Sequence, residues 1–309
     1  MFNSALTSIV IPCRNQARFL GESIGSALSQ THREIEIIVV NDGSTDDTLE
    51  AVRGFAGVRC LNLQHRGLAG ARNAGLNGSN GSYILFLDAD DRLLPSAIED
   101  FMRSLGAHPA CAFAYGHVKL ISIDGSPLPT PPQTAVERDH YVELLRHNFI
   151  WTTGAVLYRR EALDLVGGFN SAIAASADFD LNARIARRFP VCCTETTTLE
   201  YRRYEDSMSR DYSVMLRSAV TARRLQWQAI KGDRVQESAL RAGIRAVQQD
   251  YGEKLIDHAR GLARERRWRE ASSDLFVLLR YYPRGMARRM ISKLRQAFHS
   301  PSDALIRNE

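Results

Sequence analysis

The sequence predicts an α/β fold: a mainly parallel sheet with helices on both faces, followed by a C-terminal helical appendage. Three observations predict it. Strand-length β-branched runs alternate with segments of helical spacing through the first half of the chain. Aspartates cluster directly after two of those runs, where open α/β sheets bind their ligands. Beyond residue 210 the apolar positions keep helical spacing with no convincing strand.

The first unit is TSIVIP (Thr7 to Pro12) and EIEIIVV (Glu34 to Val40) as strands. Between them Ala17 to Gln30 places Phe19, Leu20, Ile24, Ala27 and Leu28 on one helical face. A helix from Asp46 to Phe55, a strand from Val58 to Leu63, a helix from Leu68 to Asn77 and a strand from Tyr83 to Leu87 continue the alternation. Pro109 to Asp124 is apolar and strand-rich, and GSPLPTPPQT (Gly125 to Thr134) then reads as an extended surface loop suited to a lid. Strand and helix signals resume at Ala155 to Tyr158, Arg160 to Val166 and Phe179 to Phe189, and Glu200 to Ser209 reads as irregular. From about Asp211, positions such as Leu216, Val220, Leu225, Leu255, Leu262, Trp268, Leu275, Leu278 and Leu279 fit helical periods. The expected division is therefore 1–210 for the α/β unit and 211–309 for a basic helical region.

Composition narrows the classes. At 309 residues, 44% hydrophobic and 24% charged, the chain can bury a full core, which excludes wholesale disorder and a disulfide-stapled scaffold. Its cysteines (Cys13, Cys60, Cys111, Cys192, Cys193) are odd in number and scattered, with no CxxC pair, so they read as reduced core residues. No apolar run reaches the roughly 20 residues of a bilayer span. The start, MFNSALTSIVIPC, lacks the regions of a secretion signal, and a cytoplasmic location is expected. Charge is unevenly divided: residues 210–309 hold 21 Lys+Arg against 11 Asp+Glu, and residues 1–209 hold 19 against 24. A basic tail suits an anionic partner, or is simply a soluble arginine-rich face.

Four constellations can carry chemistry. NDGSTDD (Asn41 to Asp47) ends a strand; Gly43 and the small polar residues suit a turn and helix cap, and Asp42 faces the strand-end crevice, where a carboxylate can bond a base or ribose. YILFLDADD runs a strand into Asp88, Asp90 and Asp91, and three carboxylates so close call for a cation or a solvated turn. Mg²⁺ and Mn²⁺ take one or two carboxylates and complete their shell with water and phosphates. QHRGLAGARNAGLN (Gln64 to Asn77) offers Gly67 and Gly70 for close backbone approach, with Arg66 or Arg72 to pair phosphate oxygens, or is a glycine-bearing loop with solvated arginines. SADFDLNARIARR opens a helix with Ser176 as cap; Asp178 and Asp180 either stabilise its first turn or offer a base across the cleft.

In this order and spacing, IVIPCRNQARFLGESIGSALSQT, IIVVNDGSTDDT, GLAGARNAGL and FLDADD resemble family-2 glycosyltransferases. TGAVLYRREALDLVGGF and YRRYEDSMS continue the pattern, so the resemblance covers Ser8 to Asp206. It implies a GT-A fold, a nucleotide-diphosphate-sugar donor (most often UDP-linked), a divalent metal (Mn²⁺ or Mg²⁺) and inversion at the anomeric carbon. Carried over by position, Pro12, Arg14 and Asn15 line the nucleotide pocket, Asp42 meets the base, and Arg72 lies near the nucleotide or its phosphates. Asp88 and Asp90 match the DxD element, Asp88 touching ribose or metal and Asp90 holding the metal; Asp178 matches the general base. The chain departs from the pattern with Arg14 at an aromatic position, Asn41 for the first acid of Asp-Asp-Gly-Ser, Ala177 beside the base, and Tyr204 where many relatives have histidine.

The expected activity is transfer of a sugar to a hydroxyl of a saccharide or lipid-linked saccharide, in cell-surface polysaccharide or glycolipid synthesis. A nucleotide-sugar-binding protein without catalysis is one alternative. A nucleotidyltransferase is another, although IPCRNQARF lacks the glycine-rich loop such enzymes place after the first strand. The basic region can pack on the catalytic unit, self-associate, or dock on anionic lipid, for which Arg280 to Phe298 has the mixed apolar and basic character of an interfacial helix. That contact would put the protein peripherally at the inner face of the plasma membrane. No nucleic-acid-reading module accompanies the charge, so no nucleic-acid partner is expected.

Overall fold

A computed structural model describes residues 5–298. Residues 1–4 of the expected α/β unit and 299–309 of the expected helical region lie outside the described residues. The chain opens with β1 (Thr7–Cys13), α1 (Ala17–Leu28), β2 (Ile35–Asp42), α2 (Thr48–Arg53), β3 (Arg59–Leu63), α3 (Gly67–Asn77) and β4 (Tyr83–Phe86). It continues through β5 (Arg92–Leu93), α4 (Ala97–Ala107), β6 (Phe113–Ile121), β7 (Pro127–Leu128), α5 (His140–Arg146), β8 (Val156–Arg159), α6 (Arg160–Val166), α7 (Ala177–Ala186) and β9 (Cys192–Arg202). Helices follow: α8 (Tyr212–Leu225), α9 (Trp227–Ile230), α10 (Arg234–Arg264), α11 (Trp268–Tyr281) and α12 (Pro283–Phe298).

The strands form one sheet in the order β3-β2-β1-β4-β8-β6-β9-β5, with β7 on β6. Pairings from β3 to β4 are all parallel, as the alternation of strand and helix requires. Beyond β4 the sheet is mixed: β8 runs antiparallel to both β4 and β6, and β9 is parallel to β6. Strands covered on both faces read as continuous apolar runs, and β1 and β2 do. Ile9, Ile11, Ile37 and Val39 face a core layer with Leu20 and Ile24 of α1 and Phe101 of α4. Val10, Ile38 and Val40 face the other layer, with Leu76 of α3, Leu163 of α6 and Phe179 of α7.

Pro12 is accommodated by register. Val10 O accepts from Leu87 N, so alternation turns Pro12 to the same neighbour, where β4 has already ended opposite Val10. The missing N–H costs no ladder bond there, and the chain leaves β1 at the carboxyl edge of the sheet.

Two expectations are corrected. Glu200 to Arg202 is not irregular: it is the end of β9, whose Thr-rich start carries β propensity but little apolar signal. Gly125 to Thr134 is not a free lid either. Thr130 Oγ1 accepts from Leu120 N at 2.8 Å, and the Gln133 amide bonds both the N–H (3.0 Å) and the C=O (2.7 Å) of Val118, pinning the segment along β6.

The C-terminal helices join the sheet's own core. Ala222 of α8, Ile230 of α9 and Ala239 and Leu240 of α10 belong to the layer under β1 and β2, while Leu216, Leu255, Leu278 and Tyr282 form a separate cluster. Asp211 caps α8 by accepting from Val214 N, and Asp233 caps α10 through Val235 N and Gln236 N. At Gly243, α10 crosses α5 so closely that a Cβ would collide with Leu145 O and Arg146 O. Cys13, Cys111 and Cys192 are free and buried, and Cys60 and Cys193 are free and half-buried. Among the described residues no helix is long and apolar enough to cross a membrane.

Candidate active site

The acidic turn begins where β4 stops. Leu87 N still bonds Val10 O at 2.9 Å; then Asp91 N closes a turn on Asp88 O at 3.1 Å, leaving three carboxylates at the sheet's carboxyl edge. Asp88 Oδ1 accepts from Arg72 Nη2 at 2.6 Å, and its Oδ2 lies 3.4 Å from Thr152 Oγ1. Asp90 Oδ2 accepts from the Tyr204 hydroxyl at 2.8 Å, and that hydroxyl accepts from Gln16 Nε2 at 2.9 Å. Asp91 is buried; its Oδ1 accepts from Arg202 N at 2.9 Å, and its Oδ2 has no partner.

Electrostatics follow from this crowding. Burial, and then the charges of Asp90 and Asp88, hold the Asp91 carboxyl well above the usual carboxylate range. Burial and then the Asp88 charge also raise Asp90, against the Tyr204 hydrogen bond. Asp88 and Asp90 supply oxygen ligands only, and no group of three or more metal-ligating side chains occurs among the described residues. Such a donor set fits a hard divalent cation that takes one or two carboxylates and fills its shell with water and phosphate.

Arg72 bonds this turn, and its charge acts on Asp178. Only 4% exposed, it bonds Asp88, lies 5.3 Å over the Phe169 ring, and leaves its Nε without a partner. It is therefore a buried wall residue more than an open phosphate hook. Asp178 sits in the first turn of α7 and accepts from Phe179 N at 2.8 Å. Burial raises its carboxyl above the usual range, opposed first by the positive charge of Arg72. Ser176 holds the capping position with φ +60°, but its side chain makes no capping bond, contrary to expectation. Asp180 is outside the site: it pairs with Arg184 at 2.8 Å and accepts from Gln226 at 3.1 Å.

The rim comes from β1 and β2. Asp42 is buried; its Oδ2 bonds His65 Nδ1 at 2.7 Å, and its Oδ1 accepts from Arg66 N at 2.6 Å. Arg14 donates to His65 Nε2 at 3.0 Å, so Nδ1 carries the imidazole proton when His65 is neutral. Asn15, at φ +54°, accepts from Thr45 N at 2.8 Å, while its own N–H donates to Ser44 Oγ. Asn41 accepts from Ser44 N and donates to Asn62, so the amide at this position ties the turn to β3. Asp42 ends β2 and Asp88 follows β4, the strands on either side of β1, about 10 Å apart by strand spacing.

Sequence reasoning missed three residues here. Arg202 is fully buried and locks the acidic turn: besides Arg202 N on Asp91, its Nε donates to Asp90 O, Nη1 to Ile123 O and Nη2 to Glu22. His65 links Asp42 to Arg14. Arg223, 3% exposed on α8, stacks 4.1 Å over Phe179 beside Asp178 with its Nε unpartnered, and burial pushes its pKa down to about 10. No spacing rule marks any of them, because each acts across elements distant in sequence. A concavity lined by Ser82, Tyr83, Met102, Arg159 and Glu161 opens at the opposite end of β4, away from these carboxylates.

The family model Glycosyl transferase family 2 matches residues 8–167. A chondroitin synthase of Pasteurella multocida is 31% identical over 188 residues, which is 59% of this chain and 19% of the synthase. An uncharacterized glycosyltransferase, EpsJ of Bacillus subtilis, is 31% identical over 193 residues, 58% of this chain and 56% of that protein. The chain thus spans about a fifth of the synthase and just over half of EpsJ. S. aureus TarS in complex with UDP-GlcNAc superposes with a TM-score of 0.56 at 19% identity, covering 91% of this chain and 92% of that one. The mannosyltransferase PcManGT of Pyrobaculum calidifontis, in complex with GDP-Man and Mn²⁺, gives 0.59 at 19% identity, covering 90% and 81%. These likenesses identify the fold as GT-A-like.

Proposed function

Because the chain belongs to glycosyl transferase family 2, we propose that it transfers a sugar, with inversion, from a UDP-linked donor to a hydroxyl of a saccharide or lipid-linked saccharide. The reading is supported by Arg72, which bonds Asp88 of the acidic turn while its charge opposes the effect of burial on Asp178. In this reading Asp88 and Asp90 serve the diphosphate, and Asp178 serves the proton.

Asp178 takes the proton from the acceptor hydroxyl as its oxygen attacks the sugar from the face opposite the diphosphate. The Arg72 charge favours its ionised form against burial. Asp88 and Asp90 would hold a divalent cation, Mn²⁺ or Mg²⁺, which when bound supplies positive charge to the leaving diphosphate. Arg14, exposed and tethered by one bond to His65, presents a guanidinium face on which a base can stack, in place of an aromatic ring. Asp42 serves the base subsite by fixing His65 and Arg66, and Pro12 and Asn15 shape its floor and edge. Residues 1–210 form the catalytic unit in this reading, and 211–309 its basic helical companion. A lipid-linked acceptor would bring the protein to the inner membrane face from the cytoplasm.

The test is thermal stability with UDP, GDP, dTDP and ADP, each with and without Mn²⁺. A ligand at 100 times its dissociation constant stabilises by about 2.7 kcal/mol. A metal-dependent shift with UDP alone is expected; no shift with any diphosphate would overturn the reading. Donor binding with neither transfer nor donor hydrolysis would instead favour the non-catalytic alternative, for which Asn41, Tyr204 and Ala177, the last packed in the core where the resemblance implies an acid, are the motive.

A further inference from the structure

We propose that α11, with the start of α12, is a docking surface for an anionic lipid bilayer. Helix α11 is apolar on two sides. One side, with Val277 and Leu278, is buried in the cluster formed with α8 and α10. The other has no cover: Trp268 is 64% exposed, Leu275 44%, Phe276 67% and Leu279 57%. At 3.6 residues per turn Trp268, Leu275 and Leu279 fall within about 40° of arc, with Phe276 beside them. Single exposed apolar residues are ordinary, but a stripe of four large ones on one helix face marks an interaction surface. On α12, Met290 and Ile291 are 65% and 50% exposed.

Charge selects the occupant. Residues 264–292 hold eight arginines and three acidic residues. Two of those arginines are committed, Arg267 to Glu265 and Glu270, and Arg289 to Glu253. Arg264, Arg266, Arg269, Arg280, Arg284 and Arg288 are exposed and form no ion pair with any described residue. Arg269 and Arg280 lie beside Phe276 on the helical wheel, at the flank of the stripe. Apolar side chains that enter the acyl boundary, flanked by cations that meet anionic headgroups, are the two parts of interfacial binding. A second copy fits less well, because an isologous contact would bring the same unpaired guanidinium groups against each other. The surface stands on the C-terminal helices alone and does not depend on which donor the cleft takes.

The test uses the full chain with phosphatidylcholine vesicles, with and without phosphatidylglycerol, at low and high salt. Sedimentation with the anionic vesicles alone is expected, reversed by salt. The fluorescence difference between the parent and Trp268→Phe should show emission moving to shorter wavelength on binding. Phe276→Gln with Leu279→Gln should weaken partitioning by at least about tenfold, and Arg269→Gln and Arg280→Gln by about fivefold each. These side chains are exposed, so circular dichroism should show the fold unchanged. Three results overturn the proposal: no binding to anionic vesicles at low salt, binding indifferent to Phe276→Gln with Leu279→Gln, or a dimer in solution that those two substitutions dissociate. The last would assign the stripe to a second copy.

Discussion

Replacing Arg72 by methionine tests both its pairing with Asp88 and the effect of its charge on Asp178. The substitution removes a guanidinium whose side chain is 5% exposed and leaves Asp88, 24% exposed, without the partner 2.6 Å away. Two unit charges about 4 Å apart attract by about 4 kcal/mol at an effective dielectric near 20. Losing one member of a buried pair costs roughly 3–5 kcal/mol; because water reaches a quarter of Asp88, Arg72→Met should fall at the low end, about 3 kcal/mol. Asp88→Asn keeps an Oδ1 acceptor for Arg72 and should cost about half as much by the same reasoning. Urea unfolding of the parent, both single variants and the double variant closes the cycle, with an expected coupling of about 2 kcal/mol. A coupling below about 0.5 kcal/mol, the level at which distant sites add, would refute the pair as a structural element. The same variant has a second readout. Without the Arg72 charge the Asp178 carboxyl rises further and ionises only at higher pH, so the acid limb of the transfer profile moves upward; an unmoved limb would detach Asp178 from Arg72.

Asp178→Asn should retain metal-dependent donor binding and lose transfer by about a hundredfold or more; transfer at the parent rate would remove Asp178 from the role. Tyr204→Phe releases Asp90 Oδ2 from its 2.8 Å hydrogen bond, so the Mn²⁺-dependent part of nucleotide stabilisation should grow, as a melting series with UDP would show. Asp91 binds its proton more tightly folded than unfolded, so its contribution to stability is complete below the unfolded value and is lost as pH rises through the folded one. Asp91→Asn escapes that loss, and its stability relative to the parent should climb from pH 4 to pH 8; a flat difference would contradict the burial of an ionisable group there. Gly243→Val, driven against two α5 carbonyls, should cost about 1–3 kcal/mol in chemical denaturation without altering donor affinity.

The strands flanking the site were legible because both faces of β1, β2 and β4 are covered, and such strands are written as unbroken apolar runs. The residues that follow them were legible for the same reason: an aspartate placed after Leu87 or Asn41 has no core role to explain it. β9 was not legible. Its Cys192–Arg202 sequence is rich in threonine and charge, and it becomes a strand through pairing with β6 across an irregular register, information held in neither segment alone. Arg202 was hidden for a related reason: a basic residue among charged neighbours reads as solvent-facing, and only closure of the sheet brings Glu22, Asp90, Asp91 and Ile123 around it. The proline-bearing loop after β6 read as a lid because a side-chain amide such as that of Gln133, standing in for a strand's backbone, leaves no period in the sequence.

Three carboxylates in four residues persist because the fold answers each by a different means. Asp88 is met by a cation, Arg72. Asp91 is met by burial, which favours its proton over its charge, and by the backbone N–H of Arg202. Among the described residues Asp90 is hydrogen-bonded at its carboxylate only by a neutral hydroxyl, since Arg202 donates to its backbone carbonyl and acts on its side chain through charge without a hydrogen bond. Asp90 is thus the carboxylate of this turn with the least local compensation, and a divalent cation entering with a diphosphate would gain most there. Tyr204, at a position where the resemblance implies a histidine, then acts as a placeholder. It supplies one hydrogen bond to Asp90 without adding charge, and it is anchored by Gln16 and by the Phe19 ring 5.3 Å away, so it steadies the carboxylate until an arriving cation displaces that hydrogen bond. On this account the departure at Tyr204 changes how firmly the turn is held before donor arrives, and leaves the oxygen ligands that receive it in place.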